Sequence, residues 1–126
     1  MKTSRLQIAV AVPLLVLTLT SGCGRDTAKS VEVIEAKEVP HSIEKAFAAA
    51  PDDARKAASE LSNNLESQPA DAYFGFQSLS YRPDLTSEQR TAVAQAILAA
   101  HERLVAEAAK GSASARDALE QQAARK

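Results

Sequence analysis

The sequence predicts an all-α fold, a small, alanine-rich bundle of about four helices formed by residues 42–126. Alanine is abundant; it has the highest helix propensity and lets neighbouring helices approach closely. Apolar residues recur every three or four positions, which is the period of an amphipathic helix. Proline, glycine and capping residues divide the chain into helical segments.

The first two helices are expected to be short. Ser42 is a candidate cap for the first, and Pro51 fits the first turn of the second. The carboxylates of Asp52 and Asp53 would complement the dipole of that second helix. The predicted inner stripes are Ile43, Phe47 and Ala50 on the first helix, and Ala54, Ala58, Leu61 and Leu65 on the second.

The remaining helices have clearer boundaries. Pro69 is expected to begin the third helix, and Thr86 to cap the fourth in a capping box with Gln89. The fourth helix is predicted to run to about Lys110, where Gly111 ends it. Its inner face is predicted to be Val93, Ile97, Ala100, Leu104 and Ala108. A last helix, capped by Ser112 or Ser114, has few apolar residues, and we expect it to fray.

An export signal precedes these helices. Lys2 and Arg5 are followed by an uncharged stretch from Leu6 to Leu19 and then by small residues, which is the order of a secretory signal peptide. The stretch has 14 residues, whereas a helix needs about 20 to cross a bilayer. We therefore expect residues 1–22 to be removed.

The residues around the cleavage site, Leu19-Thr20-Ser21-Gly22-Cys23, resemble the lipobox of bacterial prolipoproteins. That family usually has leucine where this chain has Thr20. The resemblance covers residues 1–23 and implies cleavage after Gly22 and acylation of Cys23, and Gly24 implies the outer membrane in a host with two membranes. Cys23 is the only cysteine, so it has no intramolecular disulfide partner. The alternative is an ordinary signal peptide followed by an incidental thiol.

Residues 23–41 are predicted to be the lipidated cysteine and a flexible tether. Residues 24–30 are small and polar, whereas the segment 31–39 is ambiguous between an extended linker and a weak helix, which Pro40 would end. The bulky apolar residues of the domain are few, so we expect a thin core, helped by a partner or by self-association.

Composition argues against nucleic acid and against catalysis. Of the 15 basic residues, Lys2 and Arg5 leave with the signal, so 13 face 16 acidic residues and the net charge is about −3. His41 and His101 lack the neighbours of a zinc site, and adjacent Asp52 and Asp53 would point in different directions on a helix. We expect no catalytic residue, no metal site and no cofactor.

Four of the five aromatic residues lie within nine positions, at Tyr73, Phe74, Phe76 and Tyr81, with Phe47 apart. One interpretation is that they anchor a core otherwise built from alanine. The other places Phe74 and Tyr81 on an outer face as a partner-binding patch, because adjacent Tyr73 and Phe74 cannot both point into one thin core.

These observations give two hypotheses of function. The first is a non-enzymatic lipoprotein on the periplasmic face of the outer membrane (the cell membrane if the host has only one). It would be held in the lipid bilayer by acylated Cys23 and present its helical domain to a protein partner. The second rests on Arg125-Lys126, which resembles the end of murein lipoproteins and implies attachment to peptidoglycan through Lys126. That family has continuous heptads, whereas prolines and glycines would interrupt such a pattern in this chain.

Overall fold

The computed structural model describes residues 30–126, and within this range the chain forms five α-helices and no strand. A 3₁₀ turn, Ala36–Glu38, leads directly into the first helix. The helices are α1 (Val39–Phe47), α2 (Asp52–Asn64), α3 (Pro69–Ser80), α4 (Ser87–Ala109) and α5 (Ala113–Ala124). The all-α prediction is confirmed. The described part of the chain has five helices, and the last of them, α5, is 12 residues long.

The longest helix, α4, is the centre of the bundle. It packs against α1, α3 and α5, while α2 packs against α1 and α3. A smaller contact joins α5 to α3, and the 3₁₀ turn lies against α1 and α4. No helix in the described range is both long and apolar enough to cross a membrane.

Alanine makes up half of the core. Ten of the twenty buried hydrophobic residues in residues 30–126 are alanines, and the remainder of the interior is filled by a few large side chains. The largest of those that are fully buried are Phe47, Phe76, Ile43, Leu65, Leu104, Val39 and Val93. Small side chains on facing helices let the backbones approach, so this bundle closes with little bulky apolar volume.

The predicted helix boundaries after residue 68 agree with the structure. Thr86 accepts a hydrogen bond from the Gln89 backbone while the Gln89 side chain accepts one from the Thr86 backbone, which completes the capping box. Ser112 caps α5 through the backbone N–H of Ala115. Gly111 has φ of 98°, a conformation that favours glycine because L side chains clash there.

The start of the first helix differs from the prediction. α1 begins at Val39, so Ser42 lies inside the helix, where its hydroxyl donates a 3.4 Å hydrogen bond to Gln95 Oε1 instead of capping. Pro40, expected to end a segment, occupies the second helical position, where its missing N–H costs nothing. Val39 is fully buried, so the folded part extends upstream of residue 42.

Candidate functional site

The two candidate contact residues, Phe74 and Tyr81, line one groove. The groove has a volume of about 420 Å³ and lies between α3 and the end of α5. We refer to it as the α3–α5 groove. Its lining residues are Tyr73, Phe74, Gln77, Ser78 and Tyr81 from α3 and its C-cap, and Gln122, Arg125 and Lys126 from α5 and the residues after it.

Helical spacing on α3 explains this placement. Phe74, Ser78 and Tyr81 are four and three residues apart, so they share one side of the helix. The core side of α3 consists of Ala72, Tyr73, Phe76 and Leu79, all of which are buried. The aromatic residues therefore divide between two roles. Tyr73 and Phe76 anchor the core, whereas Tyr81 is 85% exposed.

Tyr73 is both a core residue and part of the groove lining. Its side chain is 3% exposed, and its hydroxyl accepts a 2.9 Å hydrogen bond from Gln77 Nε2. Burial raises the pKa of the Tyr73 phenol, because the charged form would lose hydration. The Tyr73 and Phe74 rings meet edge to face, with centroids 5.3 Å apart and planes at 75°. This contact supports one edge of Phe74.

Phe74 is half-buried rather than fully exposed. The guanidinium of Arg125 lies 5.2 Å from the Phe74 ring centroid, in a cation–π arrangement. Arg125 is itself exposed, and it caps the C-terminus of α5. The sequence interpretation treated Arg125 only as part of a terminal motif. Its contact with Phe74 depends on how α5 folds back onto α3, which no local pattern indicates.

The charged side chains that line the α3–α5 groove are all cationic. Arg125 and Lys126 contribute two cations, and none of the lining side chains is acidic. The amides of Gln77 and Gln122 and the hydroxyls of Ser78, Tyr73 and Tyr81 add hydrogen-bonding groups. The groove therefore offers aromatic surface, amides and positive charge together. These groups can contact a ligand through aromatic, hydrogen-bonding and charged interactions.

A larger groove, of about 800 Å³, lies between α1 and α2. Its floor includes Ile43 and Phe47, and its rim carries charges of both signs, namely Glu44, Asp52, Arg55, Lys56 and Glu60. Arg55 forms an ion pair with Asp52 within this rim. Because the rim carries charges of both signs, it does not favour a ligand of one charge.

The candidate acidic and histidine residues, Asp52, Asp53, His41 and His101, lie in separate surroundings within residues 30–126. No cluster of three or more histidine, cysteine or acidic side chains there is placed to hold a metal ion. Asp52 pairs with Arg55, whereas Asp53 pairs with Arg82. His41 is exposed, and the half-buried His101 ring lies 6.1 Å from that of Tyr73.

Two further candidate residues lie at the ends of the chain. Lys126 is exposed and lines the α3–α5 groove beside Arg125. Cys23, like the whole of the predicted signal segment 1–22, lies outside the described residues.

Comparisons with protein-family models, curated proteins and solved structures gave no match to this chain.

Proposed function

We propose that this chain is a non-enzymatic lipoprotein, held at the periplasmic face of the outer membrane by acylated Cys23, whose helical domain binds a protein partner. The export signal and the lipobox-like residues before Cys23 support the anchor. They place a single thiol at the cleavage site, where acylation would consume it. Two or more acyl chains bind a bilayer firmly, because each buried methylene contributes about 0.8 kcal/mol.

The exposed ring of Tyr81 is the observation that carries the binding role. Single exposed apolar residues are common and need no explanation. Tyr81 instead lies in a groove with a second aromatic ring, Phe74, and with the cation of Arg125. Tyrosine and arginine, together with tryptophan, are enriched among the clustered residues that carry most of the binding energy of protein–protein interfaces. The groove is therefore the surface best suited to a protein partner.

The anchor is tested by the substitution Cys23→Ala in the full-length chain. We expect the native protein to incorporate labelled palmitate and to sediment with membranes. The variant should incorporate no label and should either appear in the soluble periplasmic fraction or keep its signal segment. An unlabelled native protein, or a variant processed and membrane-bound like the native one, would contradict the anchor.

The binding role is tested by crosslinking in intact cells. A photoreactive phenylalanine analogue replaces Tyr81 in the groove or, as a control, Lys56 on the rim of the α1–α2 groove. We expect a discrete protein adduct from position 81 and a weaker or absent one from position 56. If neither position gives a protein adduct, the domain has no protein partner at these surfaces and the proposal fails.

The exposure of Lys126 supports a second candidate function, a structural lipoprotein attached to peptidoglycan. An amine that lines an open groove is accessible to an enzyme that would form the amide bond to the peptide of the cell wall. Muramidase digestion of purified sacculi, followed by mass spectrometry, would find this chain joined to a muropeptide. The linkage should be lost in Lys126→Arg.

A further inference from the structure

We infer that the α3–α5 groove binds an extended, acidic segment of the partner that also carries an aromatic or large aliphatic side chain. This inference rests on the proposed function, because it names the chemistry of the partner expected at that surface. Three properties of the groove support this inference: its cationic side chains, the position of Arg125 over Phe74 without an ion pair, and the exposed aromatic surface beside Arg125.

The charged side chains of the α3–α5 groove differ in sign from some of those in three other grooves of the described surface. The chain has a formal net charge of −1 before any processing. Three other grooves of the described surface each contain acidic side chains, among them Glu44 in one, Asp71 in the second and Glu88 in the third. The α3–α5 groove has Arg125 and Lys126 and no acidic lining residue. A positive groove on a negative protein favours an acidic ligand and orients its approach.

Arg125 is held in place without an ion pair. Like some other arginines of residues 30–126, Arg125 has no ion pair there, and its guanidinium lies over the Phe74 ring instead. An arriving carboxylate can therefore bind the planar guanidinium without displacing an internal partner. Stacking on Phe74 also limits the rotamers of the long side chain, which lowers the entropy lost on binding.

A ligand that covers the aromatic surface of the groove needs an apolar side chain as well as charge. Tyr81 is 85% exposed and Phe74 is half-buried, so an apolar side chain of the ligand would cover surface that is now in contact with water. Ser78, Gln77 and Gln122 lie alongside and can bond the backbone groups of an extended peptide. A volume of about 420 Å³ accommodates a few residues of such a segment and not a folded domain.

Other anionic macromolecules fit the groove less well. Electrostatic binding to anionic lipid uses clusters of about four to eight basic residues, and nucleic acid requires several phosphate contacts. The groove supplies two cations and places them beside aromatic rings. A short acidic peptide with one apolar anchor matches both features.

The test uses the full chain in detergent micelles, labelled with ¹⁵N, and three synthetic peptides. The first alternates glutamate and phenylalanine, the second replaces glutamate with lysine, and the third replaces phenylalanine with serine. We expect the first peptide to shift the amide resonances of Phe74, Tyr81 and Arg125 saturably. Its affinity should exceed that of each of the others at least about tenfold, which is the size of a single good polar or apolar contact.

Charge reversal at the groove gives the sharper result. Arg125→Glu should weaken the glutamate peptide at least about tenfold and reverse the preference toward the lysine peptide, because the sign of the groove changes. Lys56→Glu, the matched reversal on the rim of the α1–α2 groove, should leave both affinities unchanged. Arg125 and Lys56 are both exposed, so the thermal unfolding of the two variants should match that of the native chain.

Several outcomes would overturn the inference. They are equal affinity for the glutamate and lysine peptides, resonance shifts confined to the α1–α2 groove, no effect of Arg125→Glu, or the same shifts produced by anionic vesicles without peptide. Failure of the proposed function looks different, since it appears as a non-acylated Cys23 or as the absence of any protein adduct in cells. An adduct at position 81 whose yield is insensitive to Arg125→Glu would contradict the acidic-peptide inference alone.

Discussion

A methyl group on Gly75 would overlap Cδ2 of Leu61, and it would lie 3.1 Å from Cδ1 and 3.2 Å from Cγ of the same side chain. The Leu61 side chain of α2 therefore occupies the space that a Cβ atom at position 75 of α3 would need, and a larger residue there requires that side chain to shift. Glycine inside a helix costs about 0.5–1 kcal/mol relative to alanine. The contact with Leu61 explains why the chain has glycine here in spite of that cost.

Gly75→Ala should lower the free energy of unfolding by about 1 kcal/mol, because overpacking costs about 1–3 kcal/mol and exceeds the gain in helix propensity. Leu61 packs against the core, and three of its atoms are involved, so the whole side chain must move. In a Leu61→Ala background the same substitution has space and should stabilise by about 0.5–1 kcal/mol. Urea denaturation followed by circular dichroism measures both. A stabilising effect in the native background would show that the contact is not tight.

Arg82 joins the start of α2 to the connection between α3 and α4. Its Nη1 donates to Asp53 Oδ2 at 2.6 Å, and its Nη2 and Nε donate to the two carboxylate oxygens of Asp84 at 2.7 and 3.0 Å. Hydrogen bonds from Arg82 lower the pKa of Asp53 and of Asp84, and bonds to these two carboxylates raise the pKa of Arg82. The arrangement therefore makes folding depend on pH in the acid range.

The direction of this pH dependence follows from the carboxyl groups of Asp53 and Asp84. Because their pKa values are lower in the folded chain, they stabilise it above the unfolded value of about 3.9, and this contribution is lost as the pH falls through the folded pKa values. Arg82→Met should flatten the decline of stability below about pH 4. Arg116→Met, at an exposed arginine without an ion pair among the described residues, should leave that decline unchanged. Thermal melts across the acid range measure this decline in both variants. If stability falls with pH in Arg82→Met as it does in the native chain, the linkage is contradicted.

Substitutions at Tyr73 and Tyr81 separate the structural role of the aromatic cluster from its binding role. Tyr73→Ala should cost about 3 kcal/mol or more, because it empties a buried site. Tyr81→Ala should change stability by less than about 0.5 kcal/mol, since its ring is in water. Denaturant unfolding of both variants measures the difference. A large loss of stability in Tyr81→Ala would mean that this ring belongs to the core and not to the groove.

The sequence predicted those features that are encoded locally. The capping box of Thr86 and Gln89 and the stop at Gly111 each depend on a few adjacent residues, and both are present in the structure. For α5 the sequence left Ser112 and Ser114 as alternative caps, and the structure has the cap at Ser112. The inner stripe of α2 was likewise predicted from spacing alone. Ala54, Ala58 and Leu65 are buried, whereas Leu61 is half-buried and lies against Gly75.

Features that join distant parts of the chain were not predicted. Nothing near Phe74 in the sequence indicates that Arg125 lies over its ring, and nothing near Asp53 indicates its pairing with Arg82. Both contacts arise from the packing of whole helices, which pattern and propensity do not determine. The cationic side of the α3–α5 groove was therefore absent from the sequence prediction, although both aromatic residues were identified.

The start of α1 was misplaced for a physical reason that can be tested. Proline was interpreted as the end of a linker, yet at the second position of a helix it has a compatible φ angle and no N–H to satisfy. The helix therefore includes Val39, whose side chain is fully buried, whereas Val33 in the preceding segment is 55% exposed. The folded domain therefore begins between these two valines, where Ile34 and Ala36 already pack against its core.

The same substitution at the two valines locates the beginning of the folded domain. Val39→Ala removes two buried methyl groups and should cost about 2 kcal/mol, from about 0.8 kcal/mol for each group plus the cavity left behind. Val33→Ala should change the free energy of unfolding by less than about 0.5 kcal/mol, because that side chain is largely in water. Chemical denaturation of the two full-length variants compares them directly. Equal, negligible effects would mean that residue 39 belongs to the tether, and equal, large effects would move the edge of the domain upstream of residue 33.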